Sequence, residues 1–506
     1  MPFAGFDIPQ IRSLGSDLKT LGDNAGKLHS DVSAVLTQAQ GLLGGKPATT
    51  SPALEPLVGN PFSGPFGWLF GGGTLPGSLG HELHDMSDSI TRRCNQLEKC
   101  NELLAKGYNI DPALAFADEK APDEKKINQA LEDIAALDGK GFGDDGNRDD
   151  LNRVKDELNA LSPAEFDAFL AKVPAEDLRR YGDLAKKTDD SGMWWWESHD
   201  GIPEAQFRDH LSGLLRKAGP THWAKLEAAF PGIQPGFDTT DAWLQGYNSQ
   251  LNQGVNGMRY GMPSDPLFAT PGKVDASSIS QGQFADCWYI ASLTATAQAN
   301  PKFIAEGIKQ NPNGTVDVRI WDKDGNQHWV TVTPDLPMDA NGNLVSAHGK
   351  NETWPAYYEK AFALMYGGDK GGTPDNHMGD KLYDRAEKGD YGATEWDQTN
   401  MAPPYVTGHD SKSLDNNFDD IKQSFESHHP VIVATPSGDE LKNNGLNPNW
   451  QPGYVTRHVF YVKGFDSGGN MILGNPWGPP NGQDIHVSPA DYQKYFNSPQ
   501  ELQGTQ

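Results

Sequence analysis

The sequence predicts a multidomain protein in which an all-α N-terminal region is followed by an α+β region. Three observations lead to this fold class. The chain has 506 residues, which is too many for one compact hydrophobic core. Apolar residues in the first half recur at helical spacing, whereas Val316–Trp321 and His328–Thr333 in the second half alternate with a period of two. We therefore expect helical domains first and a sheet-containing domain after them.

The first domain, residues 1–110, is predicted to be an antiparallel helical hairpin. Its apolar residues recur three and four positions apart, as they do along one packed face of a helix. The first helix carries this pattern at Ile11, Leu14, Leu18, Leu21, Ala25, Leu28, Val32, Val35, Ala39 and Leu42, and the second at Leu79, Leu83, Met86, Ile90, Leu97, Cys100 and Leu104. Residues 44–80 are rich in Gly, Pro, Ser and Thr, which predicts a bend between the helices.

A small helical domain is predicted for residues 118–237, and a linker for residues 238–262. Ser162 and Glu165 are spaced as a capping box, in which each side chain bonds the other's backbone at the start of a helix. A further helix start is indicated near Pro174. The linker is rich in Gly, Asn, Gln and Ser, which are typical of loops.

The residues after the linker predict the α+β region. Helices are expected at Trp288–Gln298 and Thr353–Tyr366, and strands at Val316–Trp321, His328–Thr333, Val431–Thr435, Val459–Phe465 and Met471–Leu473. Residues 322–326, between the first two strands, read Asp-Lys-Asp-Gly-Asn. This pattern is similar to the start of a calcium loop, but Thr333 stands at the twelfth position, where such a loop has glutamate. We therefore predict a hairpin turn.

The charge balance excludes several classes of function. The formal net charge is −26, so the clustered Lys and Arg that bind nucleic-acid phosphates are lacking. No apolar run reaches the length of a membrane span, and no Sec-type signal peptide is visible. We expect a protein without a nucleic-acid partner, either cytoplasmic or secreted by a route that needs no signal peptide.

The chain has three cysteines, a low and odd number that does not fit a disulfide scaffold. Cys94 and Cys100 lie six residues apart in a predicted helix, roughly 9 Å along its axis, which is too far for a bridge. His81 and His84 precede them, but neither cysteine falls on the face of the histidines. We expect core thiols here and no metal site.

The third cysteine, Cys287, is set up as a nucleophile. It directly precedes a predicted helix, whose N-terminus favours a thiolate, as a nearby imidazolium would. His458 heads an apolar strand, and Asn475 follows the next strand across a short turn, so strand pairing predicts that they meet. Gln281 is the candidate second oxyanion donor beside the Cys287 N–H, and Trp477 the candidate cover for the His–Asn bond. Each residue alone also fits a structural role in the core or a turn.

Three blocks of this region, in the same order, resemble the core of calpain-type cysteine proteases. They are Gln281–Leu293, Asp335–Pro337 with the helix Trp354–Ala363, and His458–Gly478. The resemblance extends over residues 263–496, about half of the chain. It implies that Cys287 is the nucleophile, His458 the general base and acid, Asn475 the residue that orients it, Gln281 an oxyanion donor and Trp477 a shield.

The resemblance also implies a papain-like fold of two lobes, residues 263–371 with the nucleophile and residues 372–506 with the histidine and asparagine. Ser278 stands at a position that is acidic in the calcium-activated members, although Glu352 matches a second acidic position of the same loop. Calcium dependence is therefore in doubt, and no cofactor is required on the sequence evidence. Arg457 stands where the family commonly has glycine, which predicts a different cleft edge.

These features predict a calpain-like cysteine endopeptidase that acts on protein substrates. Two alternatives share the same residues: a catalytically silent interaction protein with a protease fold, and a transglutaminase-like acyl transferase. The N-terminal hairpin resembles those of type VII secretion substrates, but lacks their Trp-x-Gly bend, and it predicts self-association or contact with a secretion machinery. A secreted bacterial effector or toxin would suit this arrangement. The N-terminal half is alternatively expected to restrain the core, as a propeptide does.

Overall fold

The computed structural model describes residues 7–42, 76–105, 122–137, 146–186, 201–237, 258–322, 324–366, 389–395, 397–480 and 482–505. The chain divides into two compact units, residues 1–121 and residues 122–506. The predicted bend of the hairpin and most of the predicted linker lie outside the described residues.

The first unit contains two long helices, α1 (Ile8–Leu42) and α2 (Pro76–Ala105). Arg12 near the start of α1 forms an ion pair of 2.9 Å with Glu98 near the end of α2. Further along α1, the Gly15 carbonyl accepts a hydrogen bond of 2.7 Å from Ser87 Oγ, which lies earlier in α2. The two helices therefore run antiparallel, as the sequence predicts.

The packed face of this hairpin differs from the predicted one. Leu14, Leu21 and Met86 are more than half exposed, so the predicted seam is wrong at these positions. The helices meet instead through small residues, and Gly15 and Gly22 of α1 are buried. A Cβ added at Gly22 would lie 2.3 Å from a histidine ring of α2. This close approach of the backbones leaves Leu14, Leu21 and Met86 to either side of the contact, whereas Leu97 of the predicted seam is buried.

The second unit begins with a group of short helices: α3 (Glu124–Ala136), α4 (Gly146–Ala160), α5 (Pro163–Lys172), α6 (Ala175–Ala185), α7 (Glu204–Lys217) and α8 (Trp223–Ala229). The predicted capping box is confirmed: Ser162 Oγ accepts from the Glu165 N–H, and the Glu165 carboxylate accepts from the Ser162 N–H. Burial of Phe166, Phe169 and Tyr181 forms the core of this group.

The nucleophile-bearing part follows, with β1 (Arg259–Gly261), α9 (Cys287–Ala299), α10 (Pro301–Glu306), β2 (Ile308–Gln310), β3 (Val316–Trp321), β4 (Gln327–Val332), β5 (Leu336–Met338) and α11 (Trp354–Met365). Strands β2, β3 and β4 form one antiparallel sheet, and β1 pairs with β5. The turn between β3 and β4 is the predicted hairpin turn, closed by hydrogen bonds from the Asp324 and Asn326 N–H groups to Asp322 Oδ1.

Helix α7 packs on this sheet and joins the helical group to it. Arg216 donates to Asp317 Oδ1 of β3 at 3.0 Å. The side-chain amide of Asn313 donates to three carbonyls at the end of α7, including that of Leu215 at 2.8 Å. The Thr331 N–H of β4 donates to Ser212 Oγ. The helical group is thus attached to the β2–β4 sheet by buried polar contacts.

The C-terminal part contains α12 (Pro403–Thr407), β6 (Lys412–Ser413), α13 (Phe418–Glu426), β7 (Val431–Ala434), α14 (Gly438–Asn443), β8 (Val459–Phe465), β9 (Met471–Gly474), β10 (Ile485–Val487), α15 (Pro489–Tyr495) and β11 (Asn497–Glu501). Its strands form an antiparallel sheet of six in the order β10-β9-β8-β7-β11-β6. The helices and strands predicted after residue 280 are confirmed to within one residue at each end.

The six-stranded sheet separates two hydrophobic cores because successive side chains of a strand point to opposite faces. Val459 and Tyr461 of β8 pack in the core that contains α9 and α11. Phe460 and Val462 pack in the core on the other face, against α13 and α15. The nucleophile helix therefore lies directly on the sheet that carries His458. Among the described helices, none is both long and apolar enough to cross a membrane.

Candidate active site

Cys287 is the first residue of α9, and its side chain is 7% exposed. The residues of α9 from Cys287 to Ala297 are all buried, so the sheet and α11 fix the position of this helix. Asp286 is the N-cap residue but makes no capping hydrogen bond with its side chain. The free N–H groups of the first turn therefore remain available at the sulfur.

His458 directly precedes β8, and its backbone is held by Thr435 at the end of β7. The His458 N–H donates to Thr435 Oγ1 at 2.9 Å, and the Thr435 N–H donates to the His458 carbonyl at 2.9 Å. Arg457, the residue before, has a φ of 51°, in the left-handed region that favours glycine. This backbone conformation explains why glycine is the common residue at this position of the family that the sequence resembles.

Asn475 follows β9, the strand paired with β8, and its Oδ1 lies 2.8 Å from His458 Nε2. The Trp477 N–H also contacts Asn475 Oδ1, at 3.0 Å. A backbone N–H can only donate, so the shared Asn475 atom is the oxygen, and His458 Nε2 must carry the proton in this bond. The other ring nitrogen, Nδ1, is then the one that can serve as a base.

Trp477 lies against the imidazole, with ring centroids 4.9 Å apart and planes tilted by 52°. Its own side chain is 37% exposed, whereas His458 and Asn475 are each 4% exposed. The indole thus has one side in solvent and the other on the histidine ring, and its role as a shield of the His–Asn hydrogen bond stays a prediction.

The loop before Cys287 is joined to the loop after Asn475 by two hydrogen bonds. The Gln281 N–H donates to the Pro476 carbonyl at 2.9 Å, and Ser280 Oγ donates to the Trp477 carbonyl at 2.9 Å. Gly478 has a φ of 62°, and a Cβ there would lie 2.1 Å from a backbone carbonyl of the first loop. The structure therefore brings the nucleophile and the His–Asn pair together from two distant parts of the chain.

Gln281 is buried beside these residues, but its side-chain amide is partly occupied. Nε2 donates to the Phe284 carbonyl within the same loop. An amide nitrogen has two hydrogens, so one remains for a developing oxyanion. The role of Gln281 as an oxyanion donor stays a prediction, with one donor hydrogen instead of two.

Burial dominates the electrostatics of the pair. It raises the pKa of the Cys287 thiol to about 12, although the N–H groups of Val459 and Trp288 favour the thiolate. It lowers the pKa of His458 to about 4, against the hydrogen bond that His458 donates to Asn475, which raises it. The sequence predicts a lowered cysteine pKa, and the structure has the opposite direction because loss of water outweighs the helix N-terminus. Taken singly, both groups are neutral near pH 7.

Two carboxyl groups near the nucleophile were not among the residues that the sequence singled out. Asp286 adjoins Cys287, and Glu359 of α11 faces it; both are completely buried. The sequence did contain a signal for Glu359. It is a charged residue within an otherwise buried helix, α11, and a buried charge needs a partner. The partner itself could not be read from spacing.

The two residues that correspond to the family's calcium loop, Ser278 and Glu352, both accept hydrogen bonds from N–H groups. Glu352 Oε1 accepts from Trp354 Nε1 at 2.9 Å, and Oε2 accepts from the Ala269 N–H at 3.2 Å. Ser278 Oγ accepts from the Lys350 N–H at 3.1 Å. These N–H groups point at the oxygens that a calcium ion would need. No cluster of three or more His, Cys, Asp or Glu suited to a metal occurs in the part of the chain that the structure describes.

Comparison with known proteins finds similarity to one family. Residues 237–479 match the model of the calpain family cysteine proteases. Calpain-B of Drosophila melanogaster is 30% identical over 182 residues, which are 34% of this chain and 18% of that protein. Calpain-A of the same organism is 31% identical over 97 residues, 18% of this chain and 11% of that protein.

A plant protein, the calpain-type cysteine protease ADL1 of Oryza sativa subsp. japonica, is 30% identical over 103 residues, 19% of this chain and 4% of that protein. The matched segments thus cover between 4% and 18% of the length of these three relatives. The match to the family model includes the segments that carry the nucleophile, the histidine and the asparagine. Residues 237–479 are thus similar to a calpain-family cysteine protease domain.

Proposed function

We propose that this protein is a cysteine endopeptidase that hydrolyses peptide bonds in protein substrates. The observation that carries the proposal is the 2.8 Å hydrogen bond from His458 Nε2 to Asn475 Oδ1. This bond uses one ring nitrogen to orient the imidazole and leaves Nδ1 for the Cys287 thiol. The Cys287 sulfur lies by the N–H of Val459, the residue after His458. Cysteine, an oriented imidazole and an N-terminal helix turn are what thiolate catalysis requires.

In the proposed reaction, a proton passes from Cys287 Sγ to His458 Nδ1 and the thiolate attacks the peptide carbonyl carbon. The carbonyl π electrons move to oxygen and form an oxyanion, which the Cys287 N–H and the remaining Gln281 hydrogen stabilise. Collapse of this intermediate expels the amine, which takes its proton from His458, and leaves a thioester. A water molecule then gives a proton to His458 and attacks the thioester carbonyl. Collapse of the second intermediate releases the carboxylic acid and the Cys287 thiolate, which takes its proton back from His458.

The neutral resting state follows from burial of both groups. Separate ionisation of Cys287 or His458 is unfavourable, because each pKa is shifted towards the neutral form. Transfer of one proton between them creates two opposite charges side by side, which attract each other in this dry environment. We therefore expect the ion pair to form mainly when a substrate is in place.

The finer architecture is part of the same proposal. We propose a papain-like cleft between a lobe of residues 263–371 and a lobe of residues 372–506. Helix α9 lies in the first, and the sheet that bears His458 lies in the second. Residues 1–110 and 118–237 would form separate helical domains. The hairpin is proposed as an element for secretion or self-association, which a secretion assay of the intact chain tests: retention in the cytosol contradicts the secretion part.

The function is tested by incubating the wild type and Cys287→Ala with an unfolded protein and following its cleavage. We expect the alanine variant to lose cleavage by a factor of about 10⁴ or more, as nucleophile removal does in other proteases. Cys94→Ala is the matched control, since Cys94 is a buried cysteine in the other compact unit. Full turnover by Cys287→Ala would rule out the mechanism. Addition of an amine separates the two acyl chemistries, because a transferase would incorporate it.

We also propose that cleavage needs no calcium. Both oxygens of Glu352 already accept hydrogen bonds from N–H donors. The other position of the family's calcium loop is occupied by Ser278, which carries no charge. A chelator should therefore leave the rate of cleavage unchanged. A loss of activity that added calcium restores would contradict this part and leave the thiol mechanism intact.

A further inference from the structure

Two carboxyl groups face each other beneath the nucleophile, and neither is exposed to solvent. Asp286 directly precedes Cys287, and Glu359 projects from the middle of α11. Glu359 Oε2 accepts from the Ala347 N–H at 3.1 Å. The other Glu359 oxygen and both Asp286 oxygens have no hydrogen-bond partner among the residues with described positions. Three buried carboxyl oxygens therefore lack a donor.

Basic groups do not supply that donor. The nearest ammonium along α11 is Lys360, which is bound to the Asp335 and Thr333 oxygens on the other side of the helix. A buried carboxylate without a cation is costly, and two of them side by side cannot both stay ionised. Protons on the carboxyl groups solve both problems, because a protonated acid donates its O–H to the opposite carboxyl.

The other groups around the pair come from four segments. On α9, Cys287 and Tyr289 lie nearest, and Tyr391 approaches from the short helical turn Tyr391–Thr394. Burial raises the pKa of both tyrosines well above their usual value, so they stay neutral. No cation of the described chain is among these groups.

Neutral and acidic groups complete the surroundings. The Gln281 amide and the Ser346 hydroxyl lie near Asp286 and Glu359 respectively without forming a hydrogen bond of ordinary geometry, and both favour the ionised form of their neighbour. Glu395 lies behind the same loop, where its Oε1 accepts from the Ala285 N–H at 3.4 Å. These contacts join the carboxyl pair to the loop that runs from Gln281 to Cys287.

We propose that Asp286 and Glu359 are positioning residues, which remain protonated and hydrogen-bonded to each other at neutral pH, hold the first turn of α9 in place and keep negative charge away from Cys287. The inference deepens the proposed function, because it concerns the same thiol and rests on its reaction as a thiolate. Neither carboxyl touches the reacting atoms, so both act through the backbone and the electrostatic field at the sulfur.

The pH dependence follows from burial. Burial raises the pKa of Asp286 to about 8, and it raises the pKa of Glu359 well above its usual range. The two groups share their protons, so the first proton leaves the pair rather than one residue. Above that pH a negative charge appears beside Cys287 and raises its pKa further. Proton transfer from Cys287 to His458, with which cleavage begins, should therefore become less favourable on the alkaline side.

The test compares the wild type with the double variant Asp286→Asn/Glu359→Gln over a range of pH. Two amides can donate and accept across the same gap but cannot ionise. Two quantities are measured: alkylation of Cys287 by iodoacetamide, quantified by mass spectrometry of its peptide, and kcat/KM for cleavage. We expect the wild-type kcat/KM to fall up to roughly tenfold per pH unit above the pair's pKa, as for loss of one proton. The double variant should show no such decline and should keep most of its neutral-pH rate.

Two further variants separate positioning from general stability. Glu359→Leu cannot form the bond and should lower kcat at least tenfold with little change in KM, whereas Glu359→Gln restores most of the rate. Glu352→Gln is the matched control, a buried glutamate that lies outside the pair. It should keep the wild-type alkaline decline. Thermal unfolding of each variant shows that it is folded.

An alkaline decline that persists in the double amide variant overturns the proposal, as does a rise of tenfold or more in its alkylation rate at neutral pH. If the double variant does not fold, infrared spectroscopy of the wild type decides: a protonated buried carboxyl band at neutral pH that disappears at high pH supports the pair, and its absence overturns it. A normal alkylation profile without any cleavage would refute the proposed endopeptidase and leave the carboxyl pair standing.

Discussion

The nucleophile and the base of the candidate site are held in place by different kinds of interaction. Cys287 stands on a helix whose side chains are buried from Cys287 to Ala297, in the core that includes α11. His458 stands directly before β8 and is fixed by a few hydrogen bonds to Thr435 and Asn475. Packing thus positions the sulfur, and polar contacts position the imidazole. Substitutions near Cys287 should mainly cost stability, and those near His458 mainly activity.

The largest effect is expected for Asn475→Ala on the base side. The variant loses the acceptor that fixes the imidazole, so we expect kcat/KM to fall about 10- to 100-fold, part of the usual contribution of general acid–base catalysis. The melting temperature should fall modestly, because the buried His458 Nε2–H and the Trp477 N–H lose their acceptor. Steady-state kinetics and thermal unfolding measure the two quantities.

Asn470→Ala is the matched control for this prediction. Asn470 lies at the turn of the same β8–β9 hairpin, where its side chain donates to Asp466. It should retain the wild-type kcat/KM. If Asn475→Ala keeps full activity, or if both variants lose it equally, the imidazole is held by something other than Asn475.

On the nucleophile side, Trp288→Phe should lower the free energy of unfolding. Trp288 is 1% exposed, and its Nε1 donates to the Thr394 carbonyl at 2.9 Å. Phenylalanine leaves that buried carbonyl without a donor and creates a small gap, which together cost about 2–3 kcal/mol. Denaturant unfolding measures the loss. Trp329→Phe, at a half-buried tryptophan of β4, should cost less than about 1 kcal/mol and serves as the control.

The two regions also differ in how far their geometry could be predicted from sequence. The strands next to His458 and Asn475 are short apolar runs separated by a Gly-Gly-Asn turn, so their pairing follows from local rules. The hydrogen bond between the two residues is a direct consequence of that pairing. The helix of Cys287 was likewise predicted to within one residue at each end.

The surroundings of Cys287 were harder to predict because they depend on tertiary contacts. Asp286 meets Glu359 only when α9 packs beside α11, and no spacing rule connects residues so far apart. The direction of the cysteine pKa was mispredicted for the same reason, since burial is a property of the whole fold. In the hairpin, Leu14 and Leu21 follow helical spacing, but contact through Gly15 and Gly22 displaced them from the interface.

A smaller effect is expected from Thr435→Val, which tests the backbone clamp of His458. Thr435 Oγ1 accepts from the His458 N–H and donates to the Val455 carbonyl at 2.8 Å. Valine has the same shape but leaves both backbone groups unpaired, at a cost of about 1–2 kcal/mol. We expect kcat/KM to fall by a factor that corresponds to this free energy, because the backbone of His458 is no longer held in place. Thr435→Ser keeps the hydroxyl and should behave like the wild type. Equal losses in both variants would show that the hydroxyl is not the cause.

The smallest effect should come from Arg457→Gly, beside the same clamp. A left-handed backbone costs an ordinary residue about 1–2 kcal/mol, whereas glycine adopts it freely but loses about 0.5–1 kcal/mol through its more flexible unfolded chain. With φ at 51°, the net result should be a stabilisation of about 0.5 kcal/mol, seen as a small rise in melting temperature. Arg457→Ala removes the same charged side chain but keeps the Cβ, so it should not be stabilised. A rise in the melting temperature of both variants would assign the effect to the arginine side chain. The position of His458 would then depend on more than backbone geometry.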